Sequence, residues 1–565
     1  MSSSMLAGGC RSIPEADLPR YPIRSNLFFT PETLSVERFT PGRETPGNVG
    51  ICFSGGGTYA LVGALGQMRA LRHLGCLGKA RAISSVSGGS WATVPFTFLP
   101  DSISDDDFLG GYVADPGELT LNPFHGNRAA VLGHMSPNNL GRVPASHRMS
   151  DTSLFLRALE LSAAGCPKGR IWTHIVGENI LKPFGLAGFR GFLPQSFFAH
   201  NEAHGREILA ANPGLPGHFH TYHSRAGDTP RSLHVCNTGQ FIRTNPGNSS
   251  PSGADLVAPV QATAFYTGIL GRGQGKDAAG LQVGGGGVPS FAFNSELTGR
   301  RGIGFRGEQA APLALSDITG MSSAFFATGL AERHPKLKAL DPTYTTWPVH
   351  AEPEAGVPNR FSDGGGVEDN GVASILAFRD IEKLVVFINT PGDPMGPLHE
   401  DIFVDPWLPT LFGYRPLLDE APRRRYELYS QSHPTGTDPD RFWQHNQVFP
   451  AERLSEVVRG LWERSGKESR RRPAAFLQRD LPVVDNSWFG VRGAGRRIDV
   501  LWVKTGPVEE WREQLRASVR ARTDPMFPGF KLKQTHLSKF DVNLFAHMTS
   551  WVAAQQQEEL SELFR

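Results

Sequence analysis

Between Val49 and Phe98 the chain twice runs a short apolar segment into a glycine turn and then into a longer apolar stretch, and no other part of it restricts the fold as tightly. Val49-Gly50-Ile51-Cys52-Phe53-Ser54 has the character of a buried strand, and Gly55-Gly56-Gly57 ends it in a tight turn. From Thr58 the positions Leu61, Ala64, Leu65, Met68, Leu71 and Leu74 recur at three- and four-residue intervals, which predicts a helix with one buried face, stopped by Gly75 and Gly78. Arg81 to Val86 reads as a second strand, and Ser87-Gly88-Gly89 leads into another apolar segment from Trp91. Strands alternating with helices through short connections predict an α/β fold.

The second turn has the features of a nucleophile elbow. A side chain on a sharp strand-to-helix turn is lifted clear of the sheet, and small neighbours are needed where the backbone doubles back. Ser87 has Gly88 and Gly89 after it, and Ser85 stands where the commoner G-x-S-x-G pattern has its first glycine. The amides that open the following helix favour negative charge nearby, as a developing oxyanion requires. A hydroxyl nucleophile needs a base, and the stretch Arg360 to Val372 offers one: Asp363 is followed by three glycines, so its carboxylate is expected at a tight loop that another backbone can approach closely. Behind it, Ala373 to Phe378 looks helical and Lys383 to Ile388 like a core strand.

With 565 residues, 39% apolar and 20% charged, the chain can bury a large core. A net charge of +2 gives no support for a nucleic-acid partner. The five cysteines are scattered without a C-x-x-C pair and read as free thiols in a reducing compartment, so a cytoplasmic location is expected. Met1 to Cys10 lacks the cationic start and apolar run of an export signal, although Ala7-Gly8-Gly9-Cys10 has the form of a lipoprotein cleavage site. No segment has the uninterrupted apolar length of a spanning helix, so any membrane contact is expected to be peripheral.

Along the rest of the chain, residues 1–45 read as an extension draped over the domain, with irregular insertions near 100–150 and 390–497. Asp105-Asp106-Asp107 is read as a helix start or solvated loop, because no metal-ligand spacing follows it. The histidines from His200 to His223 stand among Gly, Pro and Asn and are read as a polar loop, so neither a metal nor a cofactor is expected. Gly268 to Lys276 has the look of a phosphate loop, but the first glycine is misplaced and Asp277 stands where Ser or Thr would bind magnesium. Gly284 to Gly287 is expected to continue a flexible connection, Phe291 to Phe293 to be strand, and Thr319 to Leu330 to be a helix of small residues. Arg423 to Arg425 and Arg470 to Arg472 are candidate contacts for anionic lipid headgroups, weighed against solvated surface.

Two blocks together resemble the patatin-like lipase superfamily, in its branch of cytosolic phospholipase A2 and fungal lysophospholipases (phospholipase B). They are Ser54-Gly55-Gly56-Gly57 with the elbow Ser85-Val86-Ser87-Gly88-Gly89-Ser90-Trp91, and Asp363-Gly364-Gly365 with Asn370 shortly after. Weaker echoes stand at Phe293 to Gly299 and around Met321. The resemblance implies a three-layer α/β fold with a mainly parallel central sheet and large insertions, formed by residues 46–565. It implies a lipid ester hydrolase of phospholipase A or lysophospholipase type that uses a Ser-Asp dyad: Ser87 as nucleophile, Asp363 as general base, and the amides of Gly55, Gly56 and Gly57 as oxyanion hole. The substrate implied is a membrane lipid or lysolipid, met at a peripheral membrane contact. The family places an arginine just after the glycine loop, where this chain has Thr58 and Tyr59.

Other readings stay open on sequence. A Ser-acid-His triad would draw on one of His399, His433, His445, His536 and His547, all of which follow Asp363. Gly55 to Ala60 formally satisfies a dinucleotide-binding G-x-G-x-x-A, yet residues 45–100 contain no Asp or Glu to bind the ribose. A non-catalytic lipid-binding protein on the same fold is the third.

Overall fold

The computed structural model describes residues 20–42, 46–242, 256–327, 340–353, 355–392, 395–398, 401–417, 425–428 and 446–565. The first strand, β1 (Val49–Phe53), leads through the glycine turn to helix α1 (Gly57–His73), and β2 (Ala82–Val86) leads directly into α2 (Ser87–Thr97). Then come β3 (Leu233–Ile242), β4 (Leu256–Ala262), β5 (Thr267–Lys276), β6 (Gln282–Val288), α3 (Leu315–Ser322), β7 (Val357–Asp363) and β8 (Lys383–Ile388). Strands β9 (Ala474–Pro482) and β10 (Arg497–Lys504) and helix α4 (Lys539–Ala554) complete the core.

The main sheet runs β6-β5-β4-β3-β2-β1-β8-β10-β9, with the two-residue strand Phe28–Phe29 beyond β6. Its middle five strands, β3, β2, β1, β8 and β10, are parallel, and antiparallel strands extend it on both flanks. Every residue of β1 and β2 is buried, so both faces of the sheet are covered, as a parallel centre demands. One cover is visible in detail: Gly50 faces the Ile375 and Ile381 side chains, and the Ser84 hydroxyl donates to the Gly371 carbonyl at 2.7 Å.

The edge of β3 positions the two turns singled out by sequence. Strand β2 pairs along one side of β3 up to Val86 opposite Asn237. Strand β7 arrives antiparallel on that same side, with Phe361 opposite Gln240 and Asp363 opposite Thr238, while β4 occupies the other side. The two strands meet head-on at adjacent residues of β3, and the residues that leave the sheet there are Ser87 and Asp363.

Several expectations need correction. Gly268 to Lys276 and Gly284 to Gly287 are not connecting loops: they lie in β5 and β6, and a Cβ on Gly268 would stand 2.3 Å from the Gly287 Cα. The glycines there permit backbone-to-backbone approach within a sheet, which period-based reading takes for loop. Ser290 to Ala292 is a 3-10 turn rather than strand, and α3 begins at Leu315, four residues before the expected start. The region 390–497 is not all insertion, since β9 is the antiparallel edge strand on β10. Within residues 20–42, Tyr21–Asn26 pairs with Gly304–Gln309, Phe28–Phe29 pairs with Gly286 and Gly287, and the amides of Val36 and Glu37 bond the Asp380 carboxylate.

Helices α1 and α4 cross at Gly66, where an added Cβ would lie 2.1 Å from Thr549 Oγ1 and 2.2 Å from the Ala546 carbonyl oxygen. Backbone cannot yield as a flexible side chain does, so Gly66→Ala is expected to cost about 1–3 kcal/mol of stability, read as a lower urea midpoint with an unchanged m-value.

Candidate active site

Ser87 stands at the first position of α2 with φ 47°, in the left-handed region that a residue with a Cβ enters at a cost of roughly 1 kcal/mol. The glycines after it have a steric cause. A Cβ on Gly88 would lie 2.0 Å from the Gly57 carbonyl oxygen, and one on Gly89 would lie 2.6 Å from that of Phe53. The elbow and the glycine loop therefore pack backbone against backbone, which fixes the Gly57 peptide beside the serine.

The Ser87 hydroxyl donates to Asp363 Oδ2 at 3.0 Å. The carboxylate also accepts the Phe325 amide on Oδ2 at 3.1 Å and the Gly365 amide on Oδ1 at 2.8 Å. Burial of Asp363 pushes its pKa from the ordinary 3.8 up to about 6, and these three donors moderate the rise by stabilising the charged form. The Ser87 amide itself is taken by Ser322 Oγ, at 2.9 Å, at the end of α3.

The three loop glycines are not equivalent. The Gly55 amide is donated to the Asp369 carbonyl at 2.8 Å, so it is engaged within the protein. The amides of Gly56 and Gly57 have no acceptor among the described residues, and Gly88 is in the first turn of α2, where amides lack intrahelical acceptors. Thr58 and Tyr59 add no charge: the Thr58 hydroxyl donates to the Thr535 carbonyl at 2.9 Å, and the Tyr59 ring packs on Phe545 at 4.6 Å. Phe326 leans over the loop, with its ring tip 2.7 Å from a Cβ built on Gly57, and packs on Trp91 and Trp172 at 5.2 and 5.9 Å. The neighbouring Phe325 is 42% exposed, whereas Phe326, Trp91 and Trp172 are buried behind it.

No histidine touches the pair among the described residues. His547 is buried beside Arg69, 3.4 Å away, and His536 stacks on His147, while His399, His433 and His445 lie outside the described residues. The direct Ser87 to Asp363 hydrogen bond also occupies the place where a triad would insert an imidazole. His234 is the nearest histidine to the elbow by connection. Its Nε2 lies 3.0 Å from both Ser85 Oγ and Thr93 Oγ1, in a chain of hydroxyls that continues through Ser90 to Ser322. Complete burial holds its pKa down to about 3, so it is a neutral hydrogen-bonding group.

Ser322, the Phe325 amide and His234 escape sequence reasoning; the run of small residues near Met321 is the one available signal for the first two. Two more carboxyls follow Asp363. Burial raises Glu368 to about 7 and lifts Asp369 well above the carboxylate range, with the Asp363 charge adding to the latter. Asp105, His223 and Asp228 come together, but Arg231 already holds Asp105 at 2.6 Å and His223 Nε2 lies 2.9 Å from Asp228, an ion-pair network rather than a vacant ligand set. The lining of the groove of about 940 Å³ at Arg24, Arg300 and Arg306 includes neither Ser87 nor Asp363 nor the loop glycines.

Among solved structures the chain is similar to human GIVD cytosolic phospholipase A2, with a TM-score of 0.43 and 14% identity over 92% of this chain and 60% of that one. The same human protein in complex with methyl gamma-linolenyl fluorophosphonate gives 0.43 and 15%, covering 94% and 61%. This chain therefore spans about three fifths of the length of those proteins. No protein-family model matches it, and neither does any curated protein.

The Asp363 shift has a measurable consequence. Its folded pKa exceeds the unfolded value, so the native state binds the proton more tightly, and stability is lost as pH rises from 3.8 through about 6. That interval is worth about 3 kcal/mol. Wild-type stability measured relative to Asp363→Asn is expected to fall by up to that amount between pH 4 and 7 in denaturant titrations.

Proposed function

We propose that this protein is a lipid ester hydrolase of phospholipase A or lysophospholipase type, acting through a Ser87-Asp363 dyad. The observation that carries the reading is the 3.0 Å hydrogen bond between a strained elbow serine and a buried carboxylate, with no histidine on either partner among the described residues. A carboxylate with a pKa near 6 is largely ionised at neutral pH yet basic enough to accept the serine proton as the hydroxyl attacks an ester carbonyl. The oxyanion of the tetrahedral intermediate falls to the Gly56 and Gly57 amides, joined by that of Gly88. Each such donor is worth roughly 100 to 1,000-fold in rate. Collapse expels the alcohol, which takes the proton from Asp363 and leaves an acyl ester on Ser87. Asp363 then deprotonates water, which releases the fatty acid.

The exposed Phe325 ring, backed by the buried Phe326, Trp91 and Trp172, supports an apolar acyl substrate. The substrate is met at a lipid surface as a peripheral contact; no helix among the described residues is long and apolar enough to cross a membrane. The Thr58 and Tyr59 side chains are turned to internal contacts, so recognition of a substrate phosphate falls to other residues.

Ser87→Ala and Asp363→Asn are expected to lower kcat against a lysophospholipid panel by at least about 1,000-fold with near-native circular dichroism, and Ser87→Ala to lose labelling by a fluorophosphonate probe. Labelling of Ser87→Ala, or substantial turnover by either variant, contradicts the dyad. Single substitutions of His399, His433, His445, His536 and His547 are each expected to stay within about threefold of wild type, whereas a triad would lose activity by orders of magnitude with one of them. In the wild type, kcat/KM is expected to rise with pH through about 6, the titration of Asp363.

A further inference from the structure

The chain leaves β1 for β2 on one side and returns to β8 on the other, so the strand order reverses between β1 and β8. In open α/β sheets, ligands bind outside the carboxyl ends of the strands at such a reversal. The dyad and the glycine loop use the β2 and β1 side of it. On the β8 and β10 side lies a separate cavity of about 180 Å³, between the segment after Ile388 and the segment after Lys504. It has room for about six water molecules, the size of a headgroup and a short stem rather than of a whole lipid.

Its lining joins two cations to an apolar wall. Lys504 is buried, donates one hydrogen bond to the Thr390 carbonyl at 2.8 Å, and has no carboxylate within ion-pair distance among the described residues. Arg470 buries its Nε–H with no acceptor, and its guanidinium has no ion pair among the described residues, whereas the adjacent Arg471 is held by both oxygens of Glu513. The one carboxylate in the lining, Glu509, has Arg512 3.7 Å away. Pro507, Phe527 and Phe530 supply the apolar side. A buried guanidinium N–H without an acceptor is costly to leave so, and an anion entering the cavity supplies one.

We propose that this cavity is a subsite for a compact anion, phosphate or carboxylate, carried on an apolar stem, with Arg470 and Lys504 as its contacts. The cavity lies next to the glycine loop: Tyr59, two residues after Gly57, and Thr390 line it, and a Cβ on Gly56 would lie 2.4 Å from the carbonyl oxygen of Asn389, the residue before Thr390. The chemistry has two sources, and naming them rests on the lipid-hydrolase reading: the phosphate of a substrate headgroup, or the carboxylate of a released fatty acid.

Isothermal titration calorimetry with butyl phosphate, butyrate and uncharged butanol tests the subsite on the whole chain without turnover by the proposed chemistry, because none of the probes carries a carboxylic ester. Butyl phosphate or butyrate is expected to bind with an affinity at least tenfold weaker in Arg470→Gln and in Lys504→Met, while butanol shows no such dependence. Preference for butyl phosphate, with KM for a lysophospholipid raised in Arg470→Gln at constant kcat, assigns the headgroup. Preference for butyrate, with product inhibition by fatty acid relieved in Arg470→Gln, assigns the released acid. No binding of either anion to wild type, or binding unchanged in both variants while their melting temperatures stay native, overturns the proposal even if hydrolysis is robust. Binding lost in the variants of a chain that hydrolyses no ester retains the subsite and overturns the dyad assignment instead.

Discussion

The structure depends on one shared edge. A strand has only two sides, and β3 gives one to β4 and divides the other between β2 and β7. Because β2 runs parallel to β3 and β7 antiparallel, their ends face each other, and the chain must leave the sheet at that junction from both directions. A hydroxyl from one departure and a carboxyl from the other are thereby brought into hydrogen-bond range although 276 residues separate them. Ladder hydrogen bonds fix that register, so the long insertions between these strands can vary without moving the pair.

Burial sets the chemistry of that junction. Three carboxyls stand within seven residues, Asp363, Glu368 and Asp369, and all are raised by desolvation. Their surroundings differ. Asp363 collects two backbone amides and a hydroxyl, which favour its charged form, whereas for Asp369 the charges of Asp363, Asp405 and Glu368 add to burial in pushing the pKa up. Neighbouring carboxylates in so dry a place oppose one another's ionisation and titrate as a coupled set.

What the sequence made legible follows from range. The helix from Thr58 and the strands at Val49 and Ala82 are local periodic signals, and the elbow at Ser87 is a local steric signal; each stands in the structure within a residue or two. Asp363 read alone as a turn residue before three glycines, and it stood out only because the serine at the elbow calls for a base; the structure puts its carboxylate 3.0 Å from the Ser87 hydroxyl. The engagement of Gly55 was not legible, because it depends on the carbonyl of a residue more than 300 positions later. The glycines of β5 and β6 misled for the opposite reason: in isolation they read as loop, and only the facing strand shows that they are spacers. Ser322 and His234 carry no motif at all, since a lone serine and a lone histidine gain meaning only from what they touch.

The end of α3 ties these observations together. Ser322 holds the Ser87 amide, and three residues later the Phe325 amide holds Asp363 Oδ2. A small rigid displacement of this one helix terminus would slacken both halves of the pair at the same moment. The four residues from Ser322 to Phe325 thus form a single mechanical handle on hydroxyl and carboxyl alike, through which any event that shifts α3 reaches both groups as a common change in alignment.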